Sequence, residues 1–309
     1  MADLYNIPQD DGLKWRKSQF LKLLKDPYID GATECYHLGC YAEEHNLSNE
    51  QRFWLAYLYA LSYSSFTALR TFEEFPHFKS LKLRNIEQYW ADHKNTLWFN
   101  PDRKYVKNND KFVDCIKSFR KNMTSAPYEK FVSGMGGDLD KLYTSICKDW
   151  EYFGAHSAFL MLDAMCELFP EADIDVSKMD WKHRGKPVVE GMAHFMYEDE
   201  LIKSQQYDFD KYDRVLEKIK EKSGRPIIQI ESTLCAFRKL FKGSRYIGYY
   251  ADRNLEECLF AEKQGWAEKL GMFRYRARVV PKHLRGEDCG WSGIRKEKCE
   301  KFLKTGDIT

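Results

Sequence analysis

The stretch from Phe53 to Phe75 limits this chain more than any other. It opens F-W-L-A-Y-L-Y-A-L-S-Y, apolar on every face of a helix rather than along one stripe. A helix without a polar face must be buried. The spacing therefore predicts one central helix over 53–75. Just ahead of it, Leu47-Ser48-Asn49-Glu50-Gln51 places Ser48 as an N-cap and Gln51 at the capping-box position. Pro76 ends the run, because proline has no N–H to continue a helix.

Helical spacing recurs over 13–24, 33–45, 81–95, 112–123, 139–150, 155–169, 188–196, 212–222 and 255–270. Residues 1–12 form a loose lead, Asp30-Gly31 a turn, 98–109 a break in pattern and 170–187 a loop-rich stretch. Asp138 is placed to cap the helix that follows the Ser133–Asp138 turn. Pro226 to Ile230 (P-I-I-Q-I) is the one β-branched run and reads as a lone strand or an extended entry. The alternation of strand and helix that builds a doubly wound sheet is missing. The expected fold is mainly α, a compact multi-helix fold with little or no sheet. An N-terminal helical lead over 1–45 would precede a helical domain over 46–309. That domain would have two lobes, 46–170 and 171–309, around a central cleft.

Composition narrows the setting. The formal net charge of the 309 residues is only +2, so any nucleic-acid contact must come from a local basic face. The nine cysteines are odd in number and form no C-x-x-C pair, which argues for a reducing compartment. No apolar run approaches the ~18 residues of a membrane span, and the acidic N-terminus lacks a signal core. Mean hydropathy of −0.62 fits a soluble chain in the cytoplasm.

Several segments carry candidate chemistry. Glu231 to Arg253 reads E-S-T-L-C-A-F-R-K-L-F-K-G-S-R-Y-I-G-Y-Y-A-D-R. Leu234, Phe237 and Phe241 give its first half helical spacing, Gly243 stands at a helix stop, and a second helix carries the arginines and tyrosines. Arginine offers a fixed fork of donors for phosphate, and tyrosine a stacking face; a tyrosine-rich core with surface arginines would read the same way. Asp102-Arg103-Lys104-Tyr105, with Lys107, Asn108 and Asn109, gathers the types that meet phosphates and base edges, or else forms a solvated loop. Phe153-Gly154-Ala155-His156-Ser157 separates two apolar helices; its glycine permits a tight turn, and His156 at a helix start would serve as base, as phosphate ligand or as part of a plain hairpin. Gly134-x-Gly136-Gly137 follows no strand and reads as a flexible turn. Cys35-x-His37-x-x-Cys40 matches no common zinc spacing. His77, His93, His183, His194 and His283 read as ordinary surface or core residues. Arginines interleaved with aromatics over 274–304 suit a nucleic-acid strand or a generic basic surface.

Four of these segments, Arg52 to Pro76, Phe99 to Arg120, Tyr152 to Met165 and Glu231 to Arg253, resemble in order and spacing the phage amino acid:DNA transferases. These are the α-glutamyl/putrescinyl thymine pyrophosphorylases of thymine hypermodification. The third segment departs from the family pattern: Ala155-His156 stand where an arginine is expected after the glycine. The resemblance implies a fold like the helical DNA glycosylases. It implies a substrate, DNA whose 5-hydroxymethyluracil has been pyrophosphorylated by a DNA kinase, in the cytoplasm of an infected host. It also implies replacement of the pyrophosphate by an amino acid or amine, on a base flipped out of the duplex.

On that reading Arg103, Lys104, Arg245 and Arg253 hold pyrophosphate or DNA phosphate. Asn108 and Asn109 read the base, and Tyr246, Tyr249 and Tyr250 line its pocket. His156, Glu231 or Asp252 takes the proton of the amine. Cys235 would attack C6 of the base or simply be a buried helix cysteine. No resident metal is expected, although magnesium could arrive with the pyrophosphate. The rival expectations are a non-catalytic DNA-binding protein of the same pathway and a base-excising glycosylase.

Overall fold

The computed structural model describes residues 12–25, 35–123, 126–133, 139–241 and 249–280. In chain order the helices are α1 (Gly12–Lys25), α2 (Tyr36–Glu44), α3 (Asn49–Ser62), α4 (Ser65–Glu74), α5 (Leu83–His93) and α6 (Lys104–Asn108). There follow α7 (Phe112–Asn122), α8 (Pro127–Phe131), α9 (Leu139–Asp149), α10 (Ala155–Leu168), α11 (Trp181–Arg184) and α12 (Lys186–Met196). The last are α13 (Asp199–Ser204), α14 (Phe209–Ser223), α15 (Ile227–Phe241), α16 (Tyr249–Lys263) and α17 (Met272–Val279). No strand occurs among the described residues, so the mainly α expectation holds. Nor is any described helix long and apolar enough to cross a membrane.

The chain divides into two compact units that do not follow its order. One draws on α1 and residues 176–254, the other on residues 35–175 and 255–279, so α16 begins in the first and continues in the second. In the first unit α12, α15 and α1 pack together. On α15, Ile227, Ile230, Leu234, Phe237 and Phe241 recur at helical spacing and are buried. The predicted strand at Pro226–Ile230 is thus the first turn of α15. Proline suits a helix start, where its missing N–H has no partner to lose, and the isoleucines continue a 3.6-residue period that a five-residue window cannot show. Phe20 of α1 meets Phe195 and Phe237 edge to face, at 4.9 and 5.5 Å between ring centroids. Where α12 crosses α15, a Cβ on Gly191 would stand 2.2 Å from the Leu234 carbonyl oxygen. Only glycine allows that approach.

In the second unit α3 is the buried element, with every residue from Phe53 to Ser62 inside. Its rings fill the core: Tyr57 stacks on Phe153 at 5.0 Å and lies 4.2 Å from Phe119. The Ser48–Gln51 capping box forms as predicted. The single helix predicted over 53–75 does not. It breaks at Tyr63, which takes the left-handed conformation (φ 51°), and Ser64, which caps α4 by accepting the Thr67 N–H at 3.0 Å. The serines at 62, 64 and 65 compete for backbone hydrogen bonds, a signal the apolar pattern around them hides. The chain then doubles back, so that Trp54 Nε1 near the start of α3 donates to the Phe75 carbonyl after α4 (2.8 Å).

Shorter pieces also differ from expectation. The break at 98–109 contains a 3₁₀ turn (Pro101–Arg103) and α6, and the loop at 170–187 contains α11. Gly154 is extended (φ −148°), open to any residue, and the left-handed residue of that turn is Tyr152 (φ 60°). The turns expected at Asp30-Gly31 and Gly134–Gly137, the Asp138 cap and Gly243 lie outside the described residues.

The α12–α15 crossing yields a direct test. Gly191→Ala should lower stability by about 1–3 kcal/mol, the usual cost of overpacking, as read by urea denaturation.

Candidate functional site

The end of α3 organises the polar groups of the second unit. A buried helix end leaves carbonyls that water cannot reach, and each needs a donor. The segment after α5 supplies them. Asn100 donates its backbone N–H to the Ser62 carbonyl (3.2 Å), and Arg103 donates Nε–H to that of Leu61 (3.2 Å). The Thr67 hydroxyl donates to the Trp98 carbonyl. Arg103 further donates from Nη1 to the Tyr152 carbonyl (3.3 Å), with its guanidinium 5.0 Å from the Phe153 ring centroid. Burial lowers its pKa from the ordinary arginine value. Arg103, expected on phosphate, is therefore a buried clasp between the α3 end and the turn before α10; its Nη2 alone has no partner among the described residues.

Two further groups meet this break. His156, in the first turn of α10, is exposed and stands edge-on to Tyr63, 6.0 Å between ring centroids. Glu257, on α16, accepts the Ser64 hydroxyl and the Phe66 N–H (2.7 Å). A carboxylate at a helix N-terminus is favoured by the helix dipole, so the start of α4 is already satisfied by the protein's own anion. Sequence reasoning singled out neither Tyr63, Ser64 nor Glu257. Ser64 carries a capping signal; nothing in linear order links Glu257 to it.

Beyond Arg103 the chain comes to the surface. Lys104, Asn108 and Asn109 are exposed on and just after α6, and Tyr105 is 56% exposed. The Tyr105 ring lies 6.3 Å from that of Tyr152, and the Lys111 ammonium 5.0 Å from the Tyr152 ring centroid. A hydrogen bond with the Tyr152 hydroxyl, followed by its charge interaction, raises the Lys111 pKa. Lys107 turns inward instead, donating to the Leu97 carbonyl (2.8 Å), and burial lowers its pKa. Asn109 spends one amide N–H on the Tyr105 carbonyl (2.9 Å). The surface that remains carries the Lys104 ammonium, two amides and two phenol rings, with Lys111 paired to Asp114 at 3.4 Å and the exposed carboxylates of Asp102 and Asp110 alongside. Cations for phosphate, amides for base edges and rings for stacking are what a nucleic-acid strand requires.

The fourth segment is arranged differently. Glu231 is buried on α15, where Cys235 is half-buried. Tyr249, Tyr250, Asp252 and Arg253 are buried on α16, the two rings meeting edge to face at 5.1 Å. Arg245 and Tyr246 lie outside the described residues, as does the basic segment beyond residue 280. Within α17, Arg274 and Arg278 pair with Glu44 and Glu43 of α2 at 2.6 and 2.7 Å. Cys35 donates weakly to the Asp163 carbonyl, and no three His, Cys, Asp or Glu side chains converge among the described residues.

His194, read as ordinary, belongs to a chain of polar contacts in the first unit. Its Nδ1 meets Asp199 at 2.6 Å, and its ring stacks on Phe241 at 4.6 Å. Arg16 of α1 reaches the same carboxylate at 2.7 Å and the His194 carbonyl at 3.2 Å. Burial acts to raise the Asp199 pKa, but hydrogen bonds from His194 and Arg16 prevail and hold it at about 2.

No protein-family model, curated protein or solved structure matches this chain. The functional reading therefore stands on the residues themselves.

The low pKa of Asp199 has a testable consequence with a definite sign. A carboxylate held below its ordinary 3.8 adds stability above that value and loses it as pH falls toward 2. In denaturant titrations across that range, the stability difference between wild type and Asp199→Asn should be constant at the upper end and shrink toward pH 2.

Proposed function

We propose that this chain is a DNA-modifying transferase. Its substrate is DNA carrying pyrophosphorylated 5-hydroxymethyluracil, and it replaces the pyrophosphate with an amino acid or amine. The observation that carries this reading is the exposed cluster of Lys104, Tyr105, Asn108 and Asn109, with the Tyr105 ring 6.3 Å from that of Tyr152, four residues ahead of His156 in the chain. The four segments that resemble the phage amino acid:DNA transferases agree with it, and a helix arrangement like that of the DNA glycosylases is part of the proposal.

The chemistry makes definite demands. The leaving group sits on the carbon attached to C5 of uracil, allylic to the C5–C6 double bond. The N1 lone pair pushes through that bond as the C–O bond to pyrophosphate breaks. The amine then bonds to the exocyclic carbon and gives up a proton. Lys104 and Lys111 would meet DNA phosphate, Tyr105 would stack on a base, and Asn108 and Asn109 would read its edge. His156, exposed on the first turn of α10, is the proposed acceptor of the amine proton. Lys104 would also offset the charge of departing pyrophosphate. Magnesium would travel with the pyrophosphate as its counter-ion, and no step is assigned to a protein-held metal.

Incubation of the purified protein with such DNA and a panel of amino acids and polyamines should give an alkali-stable nucleoside adduct by mass spectrometry. His156→Ala should slow its formation, and Tyr105→Ala should weaken DNA binding at least about 5-fold, given ~1–3 kcal/mol per stacked base. Failure of every donor would overturn transfer. Binding indifferent to the pyrophosphate would point to a non-catalytic DNA-binding protein, and alkali-labile sites to a glycosylase.

A further inference from the structure

We propose that Tyr152 is a base-stacking residue, and that it and Tyr105 together take an unpaired DNA strand rather than a duplex. This rests on the DNA-binding part of the function proposed above, and adds to it a residue and a strand form.

Tyr152 takes the left-handed conformation (φ 60°), which a large side chain adopts only against steric resistance. The turn around it is tied down at several points. Asn122 donates an amide N–H to the Asp149 carbonyl (3.2 Å), the Glu151 N–H donates to the Ser118 hydroxyl (2.8 Å), and Arg103 donates to the Tyr152 carbonyl (3.3 Å). Trp150 and Phe153 are buried on either side of it, whereas Tyr152 is only half-buried. Glycine or asparagine would meet the backbone demand of this turn at lower cost. Strain held by its surroundings gathers at sites that contact ligands, and what it fixes here is the place of a ring.

That ring has a neighbour. Tyr105, 56% exposed, lies 6.3 Å away between centroids at an interplanar angle of 46°. At that tilt the pair does not sandwich one base. Each ring offers its own face, which suits successive bases of one strand. Charge points to the same partner. Lys104 is exposed near these rings in the chain, but so are Asp102 and Asp110, so the pull on phosphate is slight and recognition falls to rings and amides. A duplex presents the face of a base only after unpairing and unstacking it, whereas a single strand presents it at once.

Anisotropy titrations of the full chain with a short labelled oligothymidylate test this. The single strand should bind at least about 5-fold more tightly than its duplex, and than an abasic strand with the same number of phosphates. Tyr152→Asn suits the left-handed backbone and lacks the ring. It should melt like the wild type and bind the oligothymidylate at least about 5-fold more weakly, with binding of the abasic strand unchanged. Tyr152→Phe keeps the ring and should bind within about 2-fold of wild type. Should Tyr152→Asn melt lower, Tyr152→Leu takes its place with the same expected loss. Equal binding of base-bearing and abasic strands, a duplex that binds as well as the single strand, or a folded ringless variant that binds like wild type would overturn the proposal. No modified base is present, so these outcomes stand apart from the success or failure of transfer.

Discussion

A helix with no wet face must hand its last carbonyls to other parts of the protein. α3 is such a helix: from Phe53 to Ser62 nothing of it meets solvent. Leaving one buried acceptor unmet costs about 1–3 kcal/mol, so the chain after α5 is drawn to its end. Asn100 and Arg103 each take one carbonyl there. The position of α6 follows, because it begins at the residue after Arg103. The exposed side chains of the candidate site are thus set in place by a buried hydrogen-bonding demand.

The division of labour among the cations has the same origin. Arginine spreads its charge over a planar fork and can serve several acceptors while buried. Arg16 does so on Asp199 and the His194 carbonyl, and Arg103 on two carbonyls. Lysine concentrates its charge and keeps its water, and Lys104 is the one left at the surface beside the Arg103 clasp. The exposed carboxylates of Asp102 and Asp110 stand near Lys104 in the chain, so the surface there is of mixed sign, in keeping with a formal charge of only +2.

Much of the helical content was legible because burial and period are local properties. The Ser48–Gln51 box, α1, α7, α9, α10 and α14 all follow from caps or from apolar residues returning every three or four positions. Misreadings arose where two signals overlapped. The serines that split α3 from α4 sit inside an apolar run, and the isoleucines of α15 imitate a strand over a short window. Of the candidate site, the residue types at 102–109 and His156 were visible, since cations, amides and rings in close order are themselves the signal.

Local order alone therefore determined that this is a helical protein with a buried central segment and a cation–amide–ring cluster. It could not say which members of that cluster face outward. Arg103 and Lys104 are neighbours in the chain with opposite fates, one buried on the carbonyls of α3 and of the turn before α10, the other in solvent. Nor could it bring Glu257 to Ser64. Those decisions belong to the tertiary structure, because they depend on which distant group answers each buried charge or carbonyl, and that pairing exists only once the helices have packed.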